Sequence, residues 1–141
     1  MTIKFLHTMV RVSNLEESLN FYCNALGLRQ VKRKDVPEGK FSLIFLTPPN
    51  NENFQIELTY NWSSENYDSG RNFGHIAFEV DNIYEVCKRL LEHGIVINRP
   101  PKDGRMAFIK SPDNISIELL QKNEPLEPIE PWASMENTGI W

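Results

Sequence analysis

The feature that most limits what this chain can fold into is an internal duplication. The segment "HTMVRVSNLEESLNFYCNALGL", from His7, is matched in pattern by "GHIAFEVDNIYEVCKRLLEHGI", from Gly74. Each opens on a strand-like run with a histidine near its start. Each then meets a polar helix-start residue, Ser13 or Asp81, and the first adds the capping-box glutamate Glu16 three residues later. Apolar residues follow at helical spacing: Leu15, Leu19, Tyr22 and Leu26 in one copy, Ile83, Val86, Leu90 and Leu91 in the other. Both stretches approach a glycine, Gly27 or Gly94, suited to a helix C-terminus.

The second part of each copy repeats as well. "FSLIFLTPPNNENFQIELTY" and "RMAFIKSPDNISIELLQ" both read as strand, turn, strand. Pro48 and Asn50 mark the first turn, and Pro112, Asp113 and Asn114 mark the second. Each closing strand holds one glutamate in an "IEL" tripeptide, Glu57 or Glu118. The chain therefore reads as a duplicated strand–helix–strands unit of the α+β class, with a connector near residues 61 to 73.

Side chains of a strand alternate between two faces. Thr8, Val10 and Val12 then share one face, while His7, Met9 and Arg11 share the other. The same rule sets Ile56 and Leu58 against Gln55, Glu57 and Thr59, and Ile76, Phe78 and Val80 against His75, Ala77 and Glu79. It also sets Ile115, Ile117 and Leu119 against Ser116, Glu118 and Leu120. Each strand has one face for a core, and each presents one histidine or one glutamate on the other. A single such residue ordinarily meets water. Matched placement of His7 with His75 and Glu57 with Glu118 points instead to a metal site. Imidazole nitrogen and carboxylate oxygen suit zinc, nickel, cobalt, iron or manganese. His93 sits near a helix end without a counterpart, where it favours the helix C-terminus. Glu79 has no partner of like type, and both stay outside the site.

A formal charge of −4 argues against nucleic acid as a general partner. Lys32, Arg33 and Lys34 read as a solvated face. No apolar run approaches the ~20 residues needed to span a bilayer. "MTIKFLHTM" lacks the features of a signal peptide, and the two cysteines, Cys23 and Cys87, fall in predicted helices as packed, reduced thiols. A cytoplasmic protein is expected. Residues 123–141 form an acidic, proline-rich tail with no helical or strand period. A loose attachment is expected there, with Trp132 and Trp141 as candidate anchors.

"LHTMVRV", "SLNFYCNALGL", "IELTYNW", "GHIAFEVDN" and "SPDNISIEL" resemble glyoxalase I, the lactoylglutathione lyases of the vicinal oxygen chelate superfamily. The resemblance runs from about residue 4 to residue 121. It implies one domain over 1–122 made of two tandem βαβββ modules, about 4–60 and 73–121, forming a curved mixed sheet around a metal site. It implies a homodimer whose cavities each use modules from two subunits. Its ligand positions fall on His7, Glu57, His75 and Glu118, the same four that alternation selects. Arg11, Asn61 and Arg71 fall where glutathione is held, and Arg105 and Met106 fall in the flap that covers it. Arg11 lies on the His7 face, and a guanidinium grips carboxylates with two parallel hydrogen bonds.

The chemistry implied is isomerisation of the methylglyoxal–glutathione hemithioacetal to S-lactoylglutathione through a cis-enediolate. The metal acts as a Lewis acid and a carboxylate moves the proton between neighbouring carbons. Glu118 is expected as the base, with Glu57 as its counterpart on the opposite face. Nickel is the first choice of metal, with cobalt or zinc also fitting the ligand set, because the chain resembles the compact members that lack an added N-terminal helix. Four departures stand out: "RPPKDGRMAFIK" is shorter than the usual flap, Asn114 replaces the turn glycine, Ser111 replaces an aspartate, and the proline-rich tail exceeds the family's compact form. Other readings are a thiol transferase, epimerase or dioxygenase of the same superfamily, or a metal-free binding protein. A fourth ligand at Glu57 argues against an extradiol-type dioxygenase, and a binding protein has no reason to align four ligands.

Overall fold

The computed structural model describes residues 1–63, 65–68 and 70–141. The chain divides into two compact units, Met1–Tyr67 and Asp68–Trp141. The break falls inside the expected connector, of which Ser64 and Ser69 lie outside the described residues.

The first unit contains β1 (His7–Arg11), α1 (Leu15–Leu19), β2 (Arg29–Val36), β3 (Phe41–Thr47) and β4 (Gln55–Asn61). Its sheet has the order β1-β4-β3-β2, with β1 parallel to β4 and the other pairs antiparallel. The second unit repeats this with β5 (His75–Val80), α2 (Ile83–Glu92), β6 (Ile97–Arg99), β7 (Met106–Lys110) and β8 (Ser116–Gln121). Its order is β5-β8-β7-β6, again with one parallel pair, β5 and β8. Two βαβββ modules, each with a mixed sheet, follow from the duplicated sequence.

Both helices start one residue later than their sequence pattern suggests. Asn14, not Ser13, caps α1, its side-chain oxygen accepting from the Glu17 amide at 3.0 Å. The strand ladder explains the shift: the Val12 amide still donates to the Thr59 carbonyl at 3.0 Å, so the chain leaves the sheet too late for Ser13 to cap. Asn82 likewise replaces Asp81 at α2, accepting from the Tyr84 and Glu85 amides. Extended backbone and a short polar side chain suit asparagine to both caps.

Beyond α1 the helix widens into a π-type turn over Asn20–Ala25, with the Leu26 amide reaching back to the Phe21 carbonyl. The wider turn rotates the inward face. Ser18, Phe21, Tyr22 and Ala25 are buried, whereas Leu15, Leu19 and Leu26 are only half-buried. In α2 the buried stripe is Ile83, Cys87 and Leu90, and Leu91 is exposed. Against the helices lie the apolar strand faces: Val10, Ile44, Leu46, Ile56 and Leu58 in one unit, Ala107, Ile109, Ile117 and Leu119 in the other. Strand alternation thus sorts core from opposite face as the sequence indicates.

Asn114 adopts a φ of 66°, the left-handed geometry that asparagine tolerates better than most residues. Ser111 supports the same turn, its Oγ accepting from the Asp113 and Ile115 amides at 3.3 and 3.1 Å. Both residues fit this turn.

The expectation of a loose tail does not match its contacts with the second unit. Trp132 is buried and stacks on Tyr84 with centroids 6.3 Å apart and planes 9° apart. The Tyr84 hydroxyl donates to the Glu127 carbonyl at 2.7 Å, and the Leu126 amide donates to the Gly104 carbonyl at 3.0 Å. Gly104 has a φ of 69°, and a Cβ there would lie 2.0 Å from the Leu126 carbonyl oxygen. Farther on, the Thr138 amide donates to the Asn98 carbonyl at 2.8 Å. Prolines prevent ladder pairing but leave aromatic anchors and isolated hydrogen bonds available.

Candidate active site

In the first unit, the Cα partner of Met9 is Glu57, so His7 stands two residues before the level of the glutamate on the same face. The His7 Nε2 lies 2.6 Å from Glu57 Oε2. In the second unit, Ala77 is the Cα partner of Glu118, giving His75 the same offset. There Nε2 lies 3.5 Å from Glu118 Oε1. Diagonal neighbours on one face are within reach of long side chains, so parallel pairing of the first and last strands of each module makes both pairs.

A third residue belongs to each pair and escaped the sequence reading. Phe45 is the Cα partner of Glu57, and its ring meets His7 edge-to-face, with centroids 5.6 Å apart and planes at 82°. Phe108 is the Cα partner of Glu118 and meets His75 in the same way, at 5.4 Å and 86°. The signal was present as a phenylalanine on the strand preceding each "IEL", in "SLIFLT" and "MAFIK". It was obscured because the two glutamates lie at different distances from their phenylalanines along the chain. The glutamate side chains are well covered, 12% and 15% exposed, while the imidazoles are 34% and 43% exposed. Carboxylates shielded beside aromatic rings, with accessible imidazoles, make donor pairs facing outward from each sheet.

The four residues selected by alternation therefore form two pairs, one per unit. Among the described residues no three His, Cys, Asp or Glu side chains gather into a group that could hold a metal ion. Imidazole nitrogen and carboxylate oxygen are suitable donors for a divalent transition ion, but each pair supplies only two.

The other expected binding residues are spread over both units. Arg11 closes the exposed face of β1, two residues beyond Met9. Asn61 ends β4, where its side-chain amide donates to the Tyr67 hydroxyl at 3.3 Å. Arg71 lines a cavity of about 490 Å³ in the second unit, with Gly74, Lys110, Ser116, Ile140 and Trp141. Ser116 is the Cα partner of His75, so the cavity borders that pair. Met106 shares a face with Phe108 and is the Cα partner of Leu120. Arg105 is committed elsewhere, its guanidinium donating to the Asn123 carbonyl at 2.9 Å. Its loop is held by Asp103, whose carboxylate accepts from the Arg105 and Met106 amides. Burial pushes that carboxyl up, but those two amides and the nearby Arg99 outweigh it and hold it below the usual carboxylate range.

Neither thiol is poised for nucleophilic chemistry. Cys87 is fully buried, and burial pushes its thiol up to about 12. Burial also raises Cys23. Both therefore lack the electropositive setting that reactive thiolates need.

Comparison with known proteins places this geometry in a family. The family model for the Glyoxalase/Bleomycin resistance protein/Dioxygenase superfamily matches residues 4–119. The chain is 46% identical over 126 residues to the lactoylglutathione lyase of Neisseria meningitidis serogroup A, covering 85% of this chain and 91% of that one. It superposes on the trypanothione-dependent glyoxalase I of Leishmania major with a TM-score of 0.78 and 35% identity, over 86% of this chain and 88% of that one. Against glyoxalase I from Zea mays the TM-score is 0.76 and the identity 33%, over 89% of this chain but 47% of the maize chain. Paired modules, their doubled His–Glu–Phe register and these relatives together show that the chain belongs to the glyoxalase I (lactoylglutathione lyase) family of that superfamily.

Proposed function

We infer that the chain is a lactoylglutathione lyase, which isomerises the hemithioacetal of methylglyoxal and glutathione to S-lactoylglutathione and so removes methylglyoxal. The observation carrying this reading is the repeated arrangement His7–Glu57–Phe45 and His75–Glu118–Phe108 in equivalent registers, within a chain 46% identical to a lactoylglutathione lyase.

In this reading His7, Glu57, His75 and Glu118 hold one divalent ion per site. Two imidazoles and two carboxylates suit nickel first, with cobalt or zinc as alternatives, and balance a double positive charge. When bound, the ion supplies Lewis-acid polarisation of the substrate oxygens. Each chain carries two two-donor halves, so a homodimer that joins the His7–Glu57 half of one copy to the His75–Glu118 half of the other provides four donors. The maize length supports this, since this chain covers only 47% of that one.

Glu118 takes the proton from the sulfur-bearing carbon of the hemithioacetal and returns it to the neighbouring carbon. The hydroxyl proton passes from the first carbon's oxygen to the second's, so the first carbon becomes a thioester carbonyl and the second an alcohol, with no net change in atoms. Glu57 is the counterpart of Glu118 on the opposite face. Arg11, Asn61 and Arg71 bind the charged and amide groups of glutathione, and Met106 joins Phe108 as apolar wall. The buried, protonated Cys87 supports a reducing, cytoplasmic setting.

The test is to strip the protein of metal, restore nickel, cobalt or zinc singly, and measure S-lactoylglutathione formation. Turnover is expected to return with nickel. In Glu118→Gln it should fall by about 10²–10⁴-fold while bound metal is retained. Undiminished turnover in that variant would remove Glu118 from the role of base, and full activity without any ion would overturn the metal-dependent reading.

A further inference from the structure

Phe45 and Phe108 each touch a histidine, and each has one further neighbour that differs between the halves. In the first unit β2 pairs Gln30 with Leu46 and Lys32 with Phe45, with a register shift between Gln30 and Lys32. In the second unit β6 pairs Ile97 with Ile109 and Arg99 with Phe108, with the same shift between Ile97 and Arg99. Lys32 and Arg99 thus stand at equivalent places beside the two rings. Lys32 uses its place: its ammonium lies over the Phe45 ring, 5.6 Å from the centroid, within cation–π range. Arg99 is drawn away, its guanidinium donating to the Met106 carbonyl at 2.8 Å and lying 3.6 Å from the Asp103 carboxylate. Trp141 stacks on Phe108 instead, with centroids 5.9 Å apart and planes 24° apart.

The irregularity in β6 also holds the stretch of tail that delivers this indole. A bulged residue is left out of the strand ladder, so the polar groups of Asn98 are available to another partner. Its carbonyl accepts from the Thr138 amide at 2.8 Å, and its Nδ2 donates to the Thr138 carbonyl at 3.1 Å. Gly139, with a φ of 70°, turns the chain between this clasp and the stack. A ring held on a second side keeps one rotamer and gives the imidazole against it a fixed wall. Such a wall matters here, because each accessible imidazole contacts its own half through one glutamate and one phenylalanine ring. Neighbours that orient ligand histidines change the affinity for the metal. We propose that Lys32 and Trp141 are positioning residues, each holding a phenylalanine against a metal-ligating histidine, with Trp141 filling the place from which Arg99 is withdrawn. The inference rests on the four-ligand reading above.

The experiment uses the full-length protein. Nickel affinity is measured by competition against a chromophoric chelator, and the visible absorption bands of the cobalt form are recorded. Trp141→Ala is expected to weaken nickel binding by about tenfold and to shift the cobalt bands. Trp141→Phe, which keeps an aromatic face on Phe108, should restore most of both. Lys32→Ala should weaken binding by about threefold, and Lys32→Arg, which keeps a cation over Phe45, should recover it. Arg99→Ala leaves the stack in place and should leave affinity and bands as they are in the wild type. Unchanged affinity and bands in Trp141→Ala or Lys32→Ala, with the fold intact by circular dichroism, would overturn the inference for that half. So would a loss that the conservative variant does not repair, or one that Arg99→Ala reproduces. A wild-type protein that binds none of nickel, cobalt and zinc would overturn the metal reading and this inference with it. Normal metal binding without turnover would overturn only the lyase reading, and normal binding with indifferent variants only the inference.

Discussion

Replacing Trp132 by alanine asks whether the tail is part of the second unit's fold. The indole is 5% exposed and lies flat on Tyr84. A tryptophan of this kind buries on the order of 200 Å², and at about 25 cal/mol per Å² this corresponds to ~5 kcal/mol. That figure is an upper bound, because the denatured chain is already partly collapsed. Measured losses for buried Trp→Ala changes run at about 3–5 kcal/mol. We expect the lower end, about 3 kcal/mol, because the short tail segment that carries the indole can shift to close part of the gap. Tyr84→Phe removes only the hydroxyl that donates to the Glu127 carbonyl at 2.7 Å, and should cost ~1 kcal/mol. Urea unfolding followed by circular dichroism measures both through the midpoint at unchanged m. A loss below about 1 kcal/mol for Trp132→Ala would refute the reasoning, and the tail would then be an appendage that the rest of the unit does not need.

Gln121 bridges the entry to α2, its side chain accepting from the Ile83 amide at 2.8 Å and donating to the Asp81 carbonyl at 2.7 Å. Gln121→Ala removes the partner of the buried Ile83 amide, while the exposed Asp81 residue can turn its carbonyl to water, and should cost about 1–3 kcal/mol in the same unfolding assay. Asp103 is held below its ordinary value of 3.8, so its stabilising contribution is complete above that pH and is lost as pH falls through the lower folded value. Amide exchange in the loop around Gly104 should rise in that acid range, and Asp103→Asn should abolish the pH-dependent part of the rise. Iodoacetamide at about pH 8 should modify Cys23 slowly and leave Cys87 untouched until denaturant is added, as peptide mass spectrometry would show. Labelling of Cys87 in the folded protein would contradict its burial.

The sequence by itself determined the duplication, the class of each element and the face on which each side chain lies. Those properties are local: alternation in a strand and periodicity in a helix follow from backbone geometry, whatever the neighbours. His7, Glu57, His75 and Glu118 could be selected for that reason. Cap positions and helix faces were legible only approximately. The shift from Ser13 to Asn14 depends on how far β1 stays bonded to β4, and the π-type turn at Asn20–Ala25 depends on what α1 must pack against. Only the tertiary structure decided which residues meet. It joined each histidine to the glutamate of its own repeat through parallel pairing, and it brought Phe45 and Phe108 against them from an antiparallel neighbour. It also set Trp132 on Tyr84 and Trp141 on Phe108. A proline-rich tail carries no period that predicts its path, because its anchors are isolated side chains whose partners lie far away in sequence.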